Sequence, residues 1–211
     1  IKNILNGLQG GAAIIERHIG SVDNKKINTG WKIVKPNIDR ISDMVLSMLE
    51  YSKEREPDYR QTDVNKIITE IIELEKFNES YQSVKIDLKL DSELGSVEAD
   101  PDQIYRCLMN LITNAFDATM DSDDGRITIQ TRKKGTLVVI EINDNGYGIE
   151  EENLNRLFSK FFSTKASRGT GLGLPTAHKI VTEHHGIISV KSKVNEGSTF
   201  TIKLPVLKPG L

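Results

Sequence analysis

NLITNAFDA, residues 110–118, reads as part of a helix with two unlike faces. Extended back to Pro101 and on to Met120, its apolar members Ile104, Leu108, Leu111, Ala115 and Ala118 recur at the three- and four-residue spacing that turns one stripe toward a core. Asn110, Asn114 and Asp117 share another flank, which is therefore available to line a polar site. A carboxamide oxygen is a neutral ligand for a hard cation such as magnesium, which also holds phosphates.

Working outward, LVVIEIND (residues 137–144) is a strand, and the NDNGYGI that overlaps its end (143–149) puts Asp144 beside two glycines, Gly146 and Gly148, in a tight loop. An acid at a strand end can accept a hydrogen bond from a ligand that the glycines let come close. GTGLGL (169–174) precedes an apolar-periodic segment, so its glycines leave bare N–H groups at a helix start, where the dipole favours anions. It matches neither the phosphate loop nor the dinucleotide fingerprint, which disfavours those folds. LFSKFFSTKASR (157–168) lies between them, with Phe158, Phe161, Phe162, Lys165 and Arg168. Two readings fit it: a lid whose basic residues close over phosphates, or an irregular surface loop.

The remaining elements frame these stretches. Thr62 or Asp63 caps a helix from Val64 to about Phe77, VKIDLKL (84–90) has period two, RITIQT (126–131) pairs with LVVIEIND across Lys134-Gly135, and a helix covers about 171–184. IISVKS (187–192) and STFTIKL (198–204) form a closing hairpin around Glu196-Gly197. The class is α+β, a mixed sheet with helices on one face. Upstream, Ile1, Leu5, Leu8, Ala12, Ile15, Ile19 and Val22 form one apolar seam, and Ile27, Trp31, Val34, Ile38, Ile41, Val45 and Met48 form a second, broken at Asp23-Asn24 and containing Pro36. A helical hairpin with two such seams is completed by a second copy as a four-helix bundle, so a homodimer is expected. The charged segment YSKEREPDYRQTD (51–63) marks the boundary, giving domains 1–56 and 57–211.

Composition narrows the classes. Lys+Arg 28 against Asp+Glu 30 gives a formal charge of -2, without the positive field that binds nucleic acid or anionic membrane. Cys107, the single cysteine, excludes an internal disulfide and a thiolate metal cluster and reads as a reduced core thiol in a cytoplasmic setting. No apolar run is long enough to span a bilayer, so no membrane contact is expected of these residues.

In this order and at these intervals, NLITNAFDA, DNGYGI, LFSKFF, GTGLGL and EGSTFTIKLP resemble the GHKL (Bergerat-type) ATP-binding fold. Within it, the chain resembles over essentially its whole length the catalytic domain of sensor histidine kinases with its dimerisation and phosphotransfer hairpin. The resemblance implies ATP and magnesium as cofactors, with Asn114 as magnesium ligand and Asp144 accepting from the adenine amino group. Gly146 and Gly148 would shape the adenine pocket, helped by Thr199 through water, and Gly169, Gly171 and Gly173 would let the lid close on the triphosphate. Asn110, Asp117, Ile149, Phe158, Thr170, Leu172 and Leu174 fall along the same site, and Lys165 and Arg168 lie in the lid.

Gyrase-type, mismatch-repair and chaperone relatives carry a Glu four residues before the magnesium Asn as general base for water. Here that position is Asn110, which cannot take the proton, so hydrolysis is disfavoured and a histidine nucleophile fits better. The implied reaction passes the γ-phosphoryl group to a histidine on the hairpin and then to an Asp of a response regulator. Among the histidines, His18 lacks the motif His-(Glu/Asp)-x-x-(Asn/Thr), His178 lies in the helix after the second glycine stretch, and His184 and His185 sit at that helix's end, where positive charge complements the dipole. Ile1-Lys2-Asn3 matches the motif's last three positions, which puts the acceptor two residues ahead of Ile1. Asn3 then takes the position linked in the family to phosphatase action, and Ile4 stands where Pro is frequent. The expectation is an ATP-binding kinase core lacking its acceptor; the alternative is a nucleotide-binding regulatory module that docks a response regulator or transcription factor without kinase activity.

Overall fold

The computed structural model describes residues 2–18, 24–52, 56–163 and 170–207. Two compact units make up the chain, Ile1–Lys53 with Ser163–Leu172, and Glu54–Phe162 with Gly173–Leu211.

In the first unit, α1 (Lys2–His18) and α2 (Asn24–Ser52) are the two helices that the seams predict, with Pro36 inside α2. Their axes approach at Gly11 and Gly30, a crossing the seams did not reveal. A Cβ on Gly11 would lie 2.9 Å from the Gly30 carbonyl oxygen, and one on Gly30 2.8 Å from that of Gly11. Along the α2 seam Ile27, Val34 and Ile41 are half-buried, whereas Trp31, Ile38 and Val45, one heptad apart on the alternate positions, are exposed, as is Met48, which follows Ile41 by seven residues. His18 is satisfied within its own helix, Nδ1 lying 2.8 Å from the Ile14 carbonyl oxygen.

In the second unit, Asp63 caps α3 (Val64–Glu75) by accepting from the Lys66 N–H at 3.0 Å. Thr62 instead belongs to β1 (Arg60–Thr62), and its hydroxyl donates to the Ala99 carbonyl. A short 3-10 turn, Glu79–Tyr81, leads to β2 (Lys85–Lys89), and β3 (Val97–Ala99) pairs antiparallel with β1. Neither β1 nor β3 is among the predicted strands, because three residues are too few for period two to show. Asp100 caps α4 (Pro101–Thr119), accepting at Oδ1 from the Asp102 and Gln103 N–H groups, with Pro101 in the first turn, where its missing donor costs nothing.

The sheet runs β2-β4-β5-β7-β6, with β4 (Arg126–Lys134), β5 (Leu137–Asp144), β6 (Ile187–Lys193) and β7 (Gly197–Pro205). Only the β2–β4 pair is parallel, so the sheet is mixed as expected. α5 (Glu151–Leu154) is a single turn that sequence reading passed over; α6 (Gly173–Glu183) starts two residues later than predicted, because Gly171 has φ +68 and cannot be helical. The core lies between α3, α4 and α6 and one face of the sheet, with Ile68, Ile71, Leu108, Leu111, Ile129 and Ile140 among its fully buried side chains. Ile112 and Phe116 are buried too, whereas Ala118, expected on the core stripe, is only half-buried and lies beside Gly146 of the loop after β5. Cys107 is enclosed, its Sγ facing the Ala177 carbonyl at 3.8 Å; burial pushes its pKa up to about 12, which removes it as a nucleophile.

Among the described residues no helix is long and apolar enough to cross a membrane.

Candidate functional site

The α4 helix supports the site. Asn110, Asn114 and Asp117 are half-buried along one flank. At the Asn110 end, its Oδ1 lies 3.2 Å from where a Cβ on Gly173 would stand, so the α6 start passes close to α4, and a side chain at 173 would push the Asn110 carboxamide aside by a few tenths of an ångström. At the other end the Ala118 carbonyl oxygen receives the Tyr147 N–H at 3.3 Å, and a Cβ on Gly146 would stand 2.3 Å from that same oxygen.

Asp144 closes β5 with its side chain turned to the helix side and 2% exposed. Its Oδ1 accepts from the Gly146 N–H at 3.0 Å and the Ser198 N–H at 3.2 Å, which fixes the carboxylate in its rotamer. Gly148 has φ +70, and a Cβ there would stand 2.0 Å from the Lys193 carbonyl oxygen. Both glycines of the first loop are thus required by the protein's own backbone, a stronger constraint than the ligand approach that the sequence suggested. The Ile149 N–H donates to Ser192 Oγ at 2.8 Å, and Ser192 Oγ lies 2.9 Å from Ser198 Oγ.

Thr199 is not brought to Asp144. Its hydroxyl oxygen accepts from Asn143 Nδ2 at 2.7 Å, and its register partner Asn143 alternates to the sheet face opposite Asp144. Ser198 occupies the position facing Asp144. Strand alternation back from the buried Phe200 is the signal that distinguishes the two.

Phe158 and Leu174 pack against the core, and the Phe158 ring tilts against His178 at 5.1 Å. Arg156 lies over the Phe162 ring at 4.7 Å, and Phe161 adopts φ 62. Thr170, Gly171 and Leu172 belong to the first unit, where the Leu172 N–H donates to Thr170 Oγ1 at 3.4 Å. Lys165, Arg168 and Gly169 lie outside the described residues, as does the side chain of Asn3 within α1.

Tyr81 was not foreseen. Its hydroxyl donates to Asp117 Oδ1 at 2.8 Å and its ring stacks on Phe116 at 4.6 Å. It stands in the three-residue 3-10 turn, too short for any periodicity to mark it. Burial first, then the Asp117 and Asp144 carboxylates, pushes the Tyr147 phenol up; burial and then Asp117 pushes up the Glu75 carboxyl.

His184 corrects the dipole reading. It is 2% exposed, Nε2 accepting from the Asp100 N–H at 3.0 Å and Nδ1 donating to the Ile180 carbonyl at 2.8 Å. Both nitrogens are committed to the neutral tautomer, and burial holds the pKa below its usual 6.5.

Magnesium fits this donor set. Among the described residues no group of three or more His, Cys, Asp or Glu side chains comes together to form an all-protein cage. A single Asn oxygen suits an ion whose remaining ligands are phosphates and water.

A helix layer over a mixed sheet, with an Asn-lined helix facing an Asp-glycine loop, defines a nucleotide-binding ATPase domain. The chain belongs to the family of histidine kinase-, DNA gyrase B- and HSP90-like ATPases, which matches residues 99–208, and its catalytic domain is of the sensor histidine kinase type. It is similar to the sensor histidine kinase ZraS of Escherichia coli (strain K12), 33% identical over 83% of this chain and 37% of the relative. The signal transduction histidine-protein kinase AtoS of the same strain is 32% identical over 100% of this chain and 34% of its own. The chain therefore spans about a third of the length of these curated relatives. Among solved structures, the histidine kinase ThkA in complex with the response regulator protein TrrA has a TM-score of 0.79 at 28% identity, covering 97% of this chain and 59% of that one.

Proposed function

We propose that this chain is the catalytic core of a sensor histidine kinase, with a hairpin to about residue 56 and a catalytic domain from 57 to 211, that binds ATP with magnesium and passes the γ-phosphoryl group to a histidine and then to an Asp of a response regulator. The observation that carries this reading is the pairing of a rigidly held Asp144 with the Asn-lined flank of α4, which together offer an acceptor for an adenine amino group and an oxygen ligand for a phosphate-bound ion. Asn114 would hold the magnesium, which neutralises developing charge on the phosphates when bound. Gly173 opens the start of α6 to the phosphates, and the lid residues Lys165 and Arg168 supply positive charge. Asn110 provides no base for water, so steady hydrolysis of ATP is negligible.

The hairpin forms the homodimer. The exposed α2 heptad row of Trp31, Ile38 and Val45, with the exposed Met48 beyond it, favours it, because a row of this kind is buried by a second copy. The partner reading is supported by ThkA, crystallised with a response regulator. The acceptor is none of the four histidines here: His18 is bonded within α1 without the acid neighbour, His178 lies against Phe158, His184 is buried with both nitrogens engaged, and His185 is the φ 57 residue next to it.

Titration with ATP and magnesium tests the site. Asp144→Asn and Asn114→Ala should each weaken binding about 10-fold or more, the scale of a lost hydrogen bond to a charged group. Equal binding by either variant and the parent chain refutes the assignment.

A further inference from the structure

The polar flank of α4 has a direction that the fold makes readable. Asn110 lies at the α6 start and Asp117 lies seven residues on, a displacement of about 10 Å along the axis. Beside Asp117, the Ala118 carbonyl is bound to the loop that carries Asp144. The Tyr147 N–H, three residues after Asp144, makes that bond at 3.3 Å to the residue next to Asp117, so the two carboxylates share one end of the site. Given the ATP reading above, on which this step rests, a nucleotide with adenine at Asp144 and phosphates over the α6 start brings its sugar past Asp117.

Chemistry then limits what Asp117 can do there. An ionised carboxylate only accepts hydrogen bonds, and phosphates repel it. ATP has few donors: the adenine amino group, which Asp144 meets, and the two sugar hydroxyls. Tyr81 restrains the Asp117 carboxylate. Its hydroxyl occupies Oδ1 at 2.8 Å while its ring is fixed on Phe116, 4.6 Å away and 18° from parallel. Asn78 caps the turn that presents it, accepting from the Ser80 N–H at 3.1 Å. We propose that Asp117 is a specificity-determining residue that reads the sugar hydroxyls of the bound nucleotide, and that Tyr81 is the positioning residue that holds its carboxylate to that task.

Affinities of the whole chain for ATP, 2′-deoxy-ATP and 3′-deoxy-ATP, with magnesium, test this. The parent chain should prefer ATP to at least one analogue by about 10-fold. Asp117→Ala should lose that preference. Tyr81→Phe, which keeps the ring stack, should lose part of it, about three-fold, and the double variant should behave as Asp117→Ala alone, because Tyr81 acts only through Asp117. The preference is a ratio within each variant, so a general loss of fold cancels from it. A parent chain indifferent to the sugar, a preference that survives Asp117→Ala, or additive effects in the double variant overturn the inference. Asp144→Asn separates the two levels: if ATP binding ignores Asp144, the ATP reading itself falls, whereas ATP binding that needs Asp144 but ignores Asp117 sinks only the sugar assignment.

Discussion

Gly148 and His184 show how much a single residue can be asked to do. At φ +70, with the Lys193 carbonyl oxygen where a methyl would go, Gly148→Ala cannot be relieved by a rotamer change. The variant should lose about 2 kcal/mol or more in urea denaturation, together with nucleotide binding. His184 predicts a pH dependence. The folded state holds it neutral, below 6.5, through burial, while Asp100 and Glu183 pull the other way and His185 adds to the lowering. The unfolded chain therefore takes up the proton first; this contribution is complete above about pH 6.5 and drains as pH falls toward the depressed folded value. Comparing urea midpoints at neutral and mildly acidic pH should show a steeper acid loss in the parent chain than in His184→Gln; identical slopes would remove His184 as the cause. The carboxylate and glycines of the site were legible in sequence because a loop with such demands tolerates few alternatives. His184's role was not, since its partner is a backbone N–H 84 positions away.

At the scale of elements, the long helices and strands followed their periodicities, and the exceptions have physical causes. Three-residue strands such as β1 and β3 carry no period, and the Gly11–Gly30 crossing leaves no apolar mark because it is made by the absence of side chains. That crossing should be intolerant: Gly11→Val should loosen α1 against α2, read as faster amide exchange along both helices, while exchange in α4 stays as before. Protection unchanged in α1 would show that the backbones do not meet there. The α3 cap is a milder case. Asp63→Ala removes the bond to the Lys66 N–H and should cost about 1 kcal/mol in chemical denaturation.

For the whole molecule, the single tryptophan is well placed. Trp31 is 51% exposed on the α2 row assigned to the dimer, so its emission should shift to shorter wavelength as the chain is concentrated, in step with the sedimenting mass. Val45→Glu, on the same row, should leave the chain monomeric with red-shifted emission. Concentration-independent emission and mass would refute the dimer. The apolar seam was readable from sequence; its division into a covered and an open row needed the hairpin. Cys107 has a different use. A lone thiol, enclosed by core side chains and held near pKa 12, is inert to disulfide reagents until α4 leaves its bed. The rate at which it is labelled is then a clock for opening of the helix that carries Asn110, Asn114 and Asp117. Any nucleotide that seats on that helix should make the clock run slower.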